Sequence, residues 1–204
     1  MYLQKIEAGG GNAIVVKTDV TEREQGNNLA QKAKDEFGSI DILINNAGLM
    51  PLSFMKNLHV EEWEQMIDVY LKGVLYNIAA VLPTMREQQS EHIVNISSVA
   101  GRKLFPGGAV YCATKFGVTA LSEGMRMELS PSENIRITAI EPGAVATELP
   151  DTITDEERKE GMMENFMEIE RLESEDIAES IRYALTQPNR VNVNEILVMP
   201  TEQG

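Results

Sequence analysis

Apolar and polar positions along the chain follow two rhythms. Short, mainly apolar runs at residues 13–17, 40–44, 92–97, 135–140 and 194–199 predict buried strands. Between them, apolar residues three and four apart predict helices. One helix begins at a capping box, Thr21-Glu22-Arg23-Glu24, and runs to about Phe37 with Leu29, Ala33 and Phe37 as its inner stripe. Gly38 stops it. A long helix covers residues 60–89, striped by Trp63, Met66, Ile67, Leu71, Val74, Leu75, Ile78 and Leu82, and Pro83 is expected to bend or interrupt it. Two further helices cover residues 109–129 and 175–186, the second capped by Ser174. Residues 144–168 form a long connection holding a second capping box, Thr154-Asp155-Glu156-Glu157. The chain opens on what reads as the end of a helix, Leu3 to Ala8, stopped by Gly9-Gly10-Gly11. A phosphate cradle follows a strand and opens a helix; these glycines do the reverse.

Strands alternating with helices over 204 residues predict a single α/β domain, a parallel sheet with helices on both faces. Composition fits: 43% hydrophobic and 25% charged residues are ordinary for a globular chain. The net charge of -14 argues against binding along nucleic acid or an anionic membrane. No run reads as long and apolar enough to span a bilayer, and Met1 onward lacks a signal-peptide core. A cytoplasmic location is expected. Cys112 is the one cysteine, so no internal disulfide can form, and it reads as a small buried helix residue. His59 and His92 have no metal-ligand spacing, so no metal is expected.

Candidate chemistry gathers at Ser98, Tyr111 and Lys115. Tyr111 and Lys115 share one helix face. A phenol titrates near pKa ~10, and an ammonium one turn away lowers that value. A tyrosine so tuned can exchange a proton near neutral pH, while Ser98 offers a hydroxyl to the same reacting group. Taken alone, the pair also reads as an ordinary solvated i, i+4 pair.

Thr18-Asp19-Val20-Thr21, Asn45-Asn46-Ala47-Gly48, Ser98, Tyr111-x-x-x-Lys115 and Pro142-Gly143-x-x-x-Thr147 occur in one order. Together they resemble the short-chain dehydrogenase/reductase family over nearly the whole chain. The resemblance implies a Rossmann-like, doubly wound fold and hydride transfer between NADP or NAD, with NADP favoured, and a small carbonyl or alcohol. It implies Tyr111 as general acid or base and Ser98 as the group that orients the substrate oxygen. Lys115 would lower the Tyr111 pKa and bind the nicotinamide ribose. Asp19 and Val20 would meet the adenine, Asn45 would tie strands together, and Ala47 and Gly48 would let backbone approach the cofactor. Pro142 and Gly143 would wall the nicotinamide, Val145 would meet its carboxamide, and Thr147 would lie near the phosphates. Leu104, Phe105, Met162, Met163 and Phe166 are expected at the substrate pocket, where methionines adapt to irregular shapes. A homodimer or homotetramer through the two long helices is implied.

The sequence departs from the family in two places. It lacks the family's opening strand, Thr-Gly-x-x-x-Gly-x-Gly turn, helix and second strand, so the domain is expected to be incomplete, without its first β-α-β unit. The strand at residues 13–17 would then shift to pair with the one at residues 40–44, or the latter would keep an exposed apolar edge. The alternative function is a catalytically impaired remnant acting as an interaction subunit. The second departure is Tyr70, where the family usually has an asparagine that helps hold a proton-relaying water. Its hydroxyl would keep a relay, or its ring would pack and cut it; packing is favoured.

Overall fold

The computed structural model describes residues 2–167 and 169–203, without the side chains of residues 2 and 162–167. Among them, β1 (Ile42–Asn45), β2 (His92–Ile96), β3 (Arg136–Pro142) and β4 (Glu195–Val198) form one parallel sheet in that order. The helices are α1 (Tyr2–Ala8), α2 (Arg23–Phe37), α3 (Val60–Ile67), α4 (Val74–Gln88), α5 (Ala109–Glu133), α6 (Glu156–Met167) and α7 (Ser174–Leu185). The parallel α/β sheet is the one the alternating pattern predicts. α2, α4 and α5 bury one layer against β2 and β3, centred on Ile78, Met85, Ile93, Met125, Ile135 and Ile137. α7 packs on β3 and β4 apart from that layer.

Several expectations are corrected. Residues 13–17 pair with no strand, and Val15 is 80% exposed. β1 keeps the exposed edge, with Ile42 and Ile44 nearly half exposed. An isolated extended segment cannot bury both faces without neighbours on either side. On α2 the most buried residues are Gly26 and Ala30, Ala33 packs beside them and Leu29 is half-buried, but Phe37 at the end of the expected stripe is exposed. Small residues win there because α2 presses closely on α4: a Cβ on Gly26 would lie 3.1 Å from Asn77 Oδ1.

The helix starts shift too. Thr21 does not cap α2; its N–H and hydroxyl both donate to Asp19 Oδ1. α6 is capped by Asp155, which accepts from the Arg158 N–H, while the Thr154 hydroxyl donates to Glu62. α7 is capped by Glu173 in a capping box with Asp176, not by Ser174.

The helix spanning Val60–Gln88 is, contrary to expectation, long and apolar enough to cross a membrane. Here it is a core helix, with Met66, Val69, Tyr70, Val74, Ile78, Val81 and Met85 buried. Pro83 does not interrupt it, because Val81 and Met85 hold both sides of the proline in the core. Its irregularity lies upstream, in a π turn over Asp68–Gly73 that carries Tyr70.

Candidate active site

The carboxyl ends of β1, β2 and β3 bring most of the predicted residues to one side of the sheet, where ligands bind open α/β sheets. At β1, Asn45 Nδ2 donates to Asn95 Oδ1 at 2.9 Å, directly across the register to β2. The expected strand tie is therefore present, and it continues on both sides. Asn77 on α4 donates to Asn45 Oδ1, Asn95 donates to the Ser122 hydroxyl on α5, and Ser122 donates to the Val118 carbonyl. Asn77, Asn95 and Ser122 escaped the motif reading. The one signal for them was an asparagine inside the apolar run of residues 92–97.

Beyond Asn45, Ala47 and Gly48 meet Asp19 and Val20 in a cleft of about 580 Å³ that Val69 also lines. Asp19 is exposed, and the Thr21 side chain and then its N–H hold its carboxyl below the usual carboxylate range. Val20 packs on Gly73 of the π turn, where an added Cβ would lie 3.0 Å from Val20 Cγ2.

Ser98 follows β2 and starts a short 3-10 turn, its hydroxyl accepting from the Ala100 N–H at 3.1 Å. Tyr111 and Lys115 lie one turn apart on α5 and are not a solvated pair: they are 6% and 3% exposed. Tyr111, Tyr70, Cys112, Met66 and Leu52 form one buried cluster. Burial pushes the Tyr111 phenol up to about 12, and the Ser98 and Tyr70 hydroxyls beside it act the other way. The lowered phenol expected from Lys115 is thus not found. Burial outweighs it, and the ammonium stands nearer the Tyr70 ring, at 3.9 Å from its centroid, than the Tyr111 ring, at 5.6 Å. Burial pulls Lys115 itself down to about 7, and its Nζ donates to the Ile96 carbonyl at 2.9 Å.

The Tyr70 hydroxyl donates to the Leu49 carbonyl at 2.7 Å and accepts from the Leu49 N–H at 3.0 Å. The Tyr70 ring packs under Lys115, while its hydroxyl lies between Leu49 and the Tyr111 phenol. Gly48 is what admits it, since a Cβ there would lie 2.5 Å from the Tyr70 oxygen.

At β3, Ser98 donates to the Pro142 carbonyl at 3.4 Å, and Gly143 donates to the Val198 carbonyl at 2.7 Å. Buried Glu141, just before them, accepts from Arg102, which also reaches Glu195 and so ties the Ser98 loop to β3 and β4. Gln203 Oε1 accepts from the Ala144 N–H. Val145 forms an isolated bridge with Leu172, and Thr147 is exposed. Of the expected pocket residues, Phe105 is half-buried against the Tyr111 cluster and Leu104 is 76% exposed. The side chains of Met162, Met163 and Phe166 lie outside the described residues. Arg158 on α6 stacks over Phe105 at 5.5 Å.

The family model for short chain dehydrogenase matches residues 1–158. An uncharacterised oxidoreductase of Staphylococcus saprophyticus is 48% identical over 205 residues, covering 99% of this chain and 82% of that protein. Among solved structures, the closed form of a serine dehydrogenase complexed with NADP+ superposes with a TM-score of 0.86 at 35% identity, covering 99% of this chain and 82% of the other. An alcohol dehydrogenase from the archaeon Thermococcus sibiricus, complexed with 5-hydroxy-NADP, superposes at 0.83 with 25% identity, covering 98% and 80%.

Proposed function

The chain belongs to the short-chain dehydrogenase family, whose members are NAD(P)-dependent oxidoreductases, and from that premise we propose that it interconverts a small carbonyl compound and its alcohol with Tyr111 as the general acid and base. The observation that carries the reading is the burial of Ser98, Tyr111 and Lys115 together at the carboxyl end of the sheet. A phenol held up at about 12 is protonated at neutral pH, which is the state an acid for carbonyl reduction must have. Ser98, whose hydroxyl bears on that phenol, orients and polarises the substrate oxygen. Phe105 offers an apolar wall on the substrate side.

The cleft bounded by Asp19, Val20, Ala47 and Gly48 has the room and polarity for an adenosine, so the residues present fit that end of the cofactor. Lys115 would hold the nicotinamide ribose, and the backbone at Pro142, Gly143 and Val145, with Thr147, would line the remainder. When bound, the nicotinamide supplies or accepts the hydride. NADP is favoured over NAD because two of the superposing structures carry NADP or its derivative. A homodimer or homotetramer in the cytoplasm belongs to the same reading; Ile67, Leu75 and Phe116 on the long helices offer exposed apolar surface for it.

The test is turnover of a panel of small ketones, aldehydes and alcohols, followed by the absorbance of the reduced nicotinamide with each cofactor. Tyr111→Phe is expected to lower kcat by about 10²-fold or more while leaving cofactor affinity within a few-fold. Wild-type rates in that variant would overturn the assignment.

A further inference from the structure

The π turn places an aromatic ring where a buried lysine has to keep its charge. Lys115 is 3% exposed, and the ammonium carries three donors. Its Nζ donates to the Ile96 carbonyl of β2 at 2.9 Å and lies 3.9 Å from the Tyr70 ring centroid. The Tyr111 ring stands farther off, at 5.6 Å, and meets Tyr70 edge to face at 5.8 Å and 77°. The Tyr70 hydroxyl is held by both the N–H and the carbonyl of Leu49 and lies beside the Tyr111 phenol, so it is the ring, not the hydroxyl, that faces Lys115. Leu49 at one end and the helix backbone at the other therefore fix the plane of this ring, and Gly48 leaves room for it.

The groups facing Lys115 are few. They are Tyr70 from the π turn, Tyr111 from α5 and the Ile96 carbonyl from β2. Burial pulls its pKa down, and among the described residues no ion pair joins it to a carboxylate. The face of an aromatic ring attracts a cation, and more strongly where water is excluded. An asparagine at position 70, the family's usual residue, has no such face.

We propose that Tyr70 is a positioning residue that keeps Lys115 protonated and fixed in place by presenting its ring face to the ammonium. The ring does here what solvent or a relayed water does at an open site. The proposal takes its consequence for the reaction from the reading above, since a charged Lys115 favours the phenolate side of the Tyr111 proton transfer. The pairing itself is measurable without turnover, so the two can fail separately.

The experiment is a pH titration of the lysine ¹⁵Nζ and ¹³Cε resonances in isotope-labelled protein, with Lys115 assigned by the signal missing from Lys115→Met. In Tyr70→Phe, which keeps the ring and loses the hydroxyl, Lys115 is expected to titrate as in the unaltered chain. In Tyr70→Leu its midpoint is expected to fall by about one pH unit or more. Should the leucine variant fail to fold, phenylalanines of increasing fluorination at position 70 keep the shape while weakening the ring face. The midpoint should then fall stepwise with each fluorine. A midpoint that stays put or rises in Tyr70→Leu, that does not follow fluorination, or that moves equally in Tyr70→Phe would overturn the proposal. Wild-type turnover in Tyr111→Phe would overturn the functional reading and leave this titration standing, whereas a flat fluorination series would overturn the pairing and leave the Tyr111 assignment intact.

Discussion

A methyl group on Gly48 would lie 2.5 Å from the Tyr70 oxygen, so the glycine and the tyrosine are one packing unit. The collision involves the end of a ring pinned by two hydrogen bonds to Leu49, which makes relief expensive. Gly48→Ala is expected to cost about 1–3 kcal/mol in urea unfolding. In a Tyr70→Asn background the same change should cost less than half as much, and equal costs in both backgrounds would remove the steric explanation. At this scale the sequence was informative about residue type and less so about state. Ser98, Tyr111 and Lys115 were legible from their spacing, and they do come together. That burial would hold the Tyr111 phenol up at about 12 was not legible, because ionisation depends on everything packed around the ring. Nor could the sequence place the Tyr70 hydroxyl, which the structure sets on the Leu49 backbone and beside the Tyr111 phenol.

Among elements, β1 and β2 are joined by more than their ladder. The side-chain chain from Asn77 through Asn45 and Asn95 to Ser122 crosses the sheet from α4 to α5. Asn95 is completely buried, so truncating either strand asparagine strands polar groups away from water. Asn45→Ala and Asn95→Ala are each expected to cost about 2 kcal/mol or more, and the double variant less than their sum. Strict additivity in urea unfolding would mean that the 2.9 Å link does not operate. The same comparison shows how far periodicity reaches. It located four of the five expected strands and the helices other than α6, which falls inside what reads as a long connection. On α2 it found the half-buried Leu29 and Ala33 but added the exposed Phe37, and it missed Gly26 and Ala30, which close approach to α4 buries and which, being small, read weakly in a hydrophobic pattern. The break in the long helix was expected at Pro83 and falls in the π turn, which no residue type announces.

Taken whole, the molecule should show two pH windows of changing stability, both from buried bases. His92 is buried against Thr138, its Nε2 donating to a hydroxyl that in turn donates to the Val193 carbonyl. Burial, and then the nearby Arg136, lower its pKa to about 4 from 6.5. The unfolded chain therefore binds more protons between those values, and stability is lost as pH falls through that window, by up to about 3 kcal/mol. Lys115, lowered to about 7 from 10.5, opens a second window. Its burial penalty is complete below pH 7 and fades as pH rises toward 10.5, so stability climbs across that range. Thermal unfolding across pH should show both slopes. Lys115→Met should flatten the upper slope alone, and an unchanged upper slope in that variant would refute its origin. By itself the sequence determined the parallel α/β class, the positions of most of its elements and the residue types of the site, because periodicity and spacing are local properties of the chain. Only the tertiary structure decided which strands pair, which helix faces turn inward and how each buried group is charged. Those depend on neighbours distant in sequence: residues 13–17 have the composition of a strand, yet pair with no strand among the described residues.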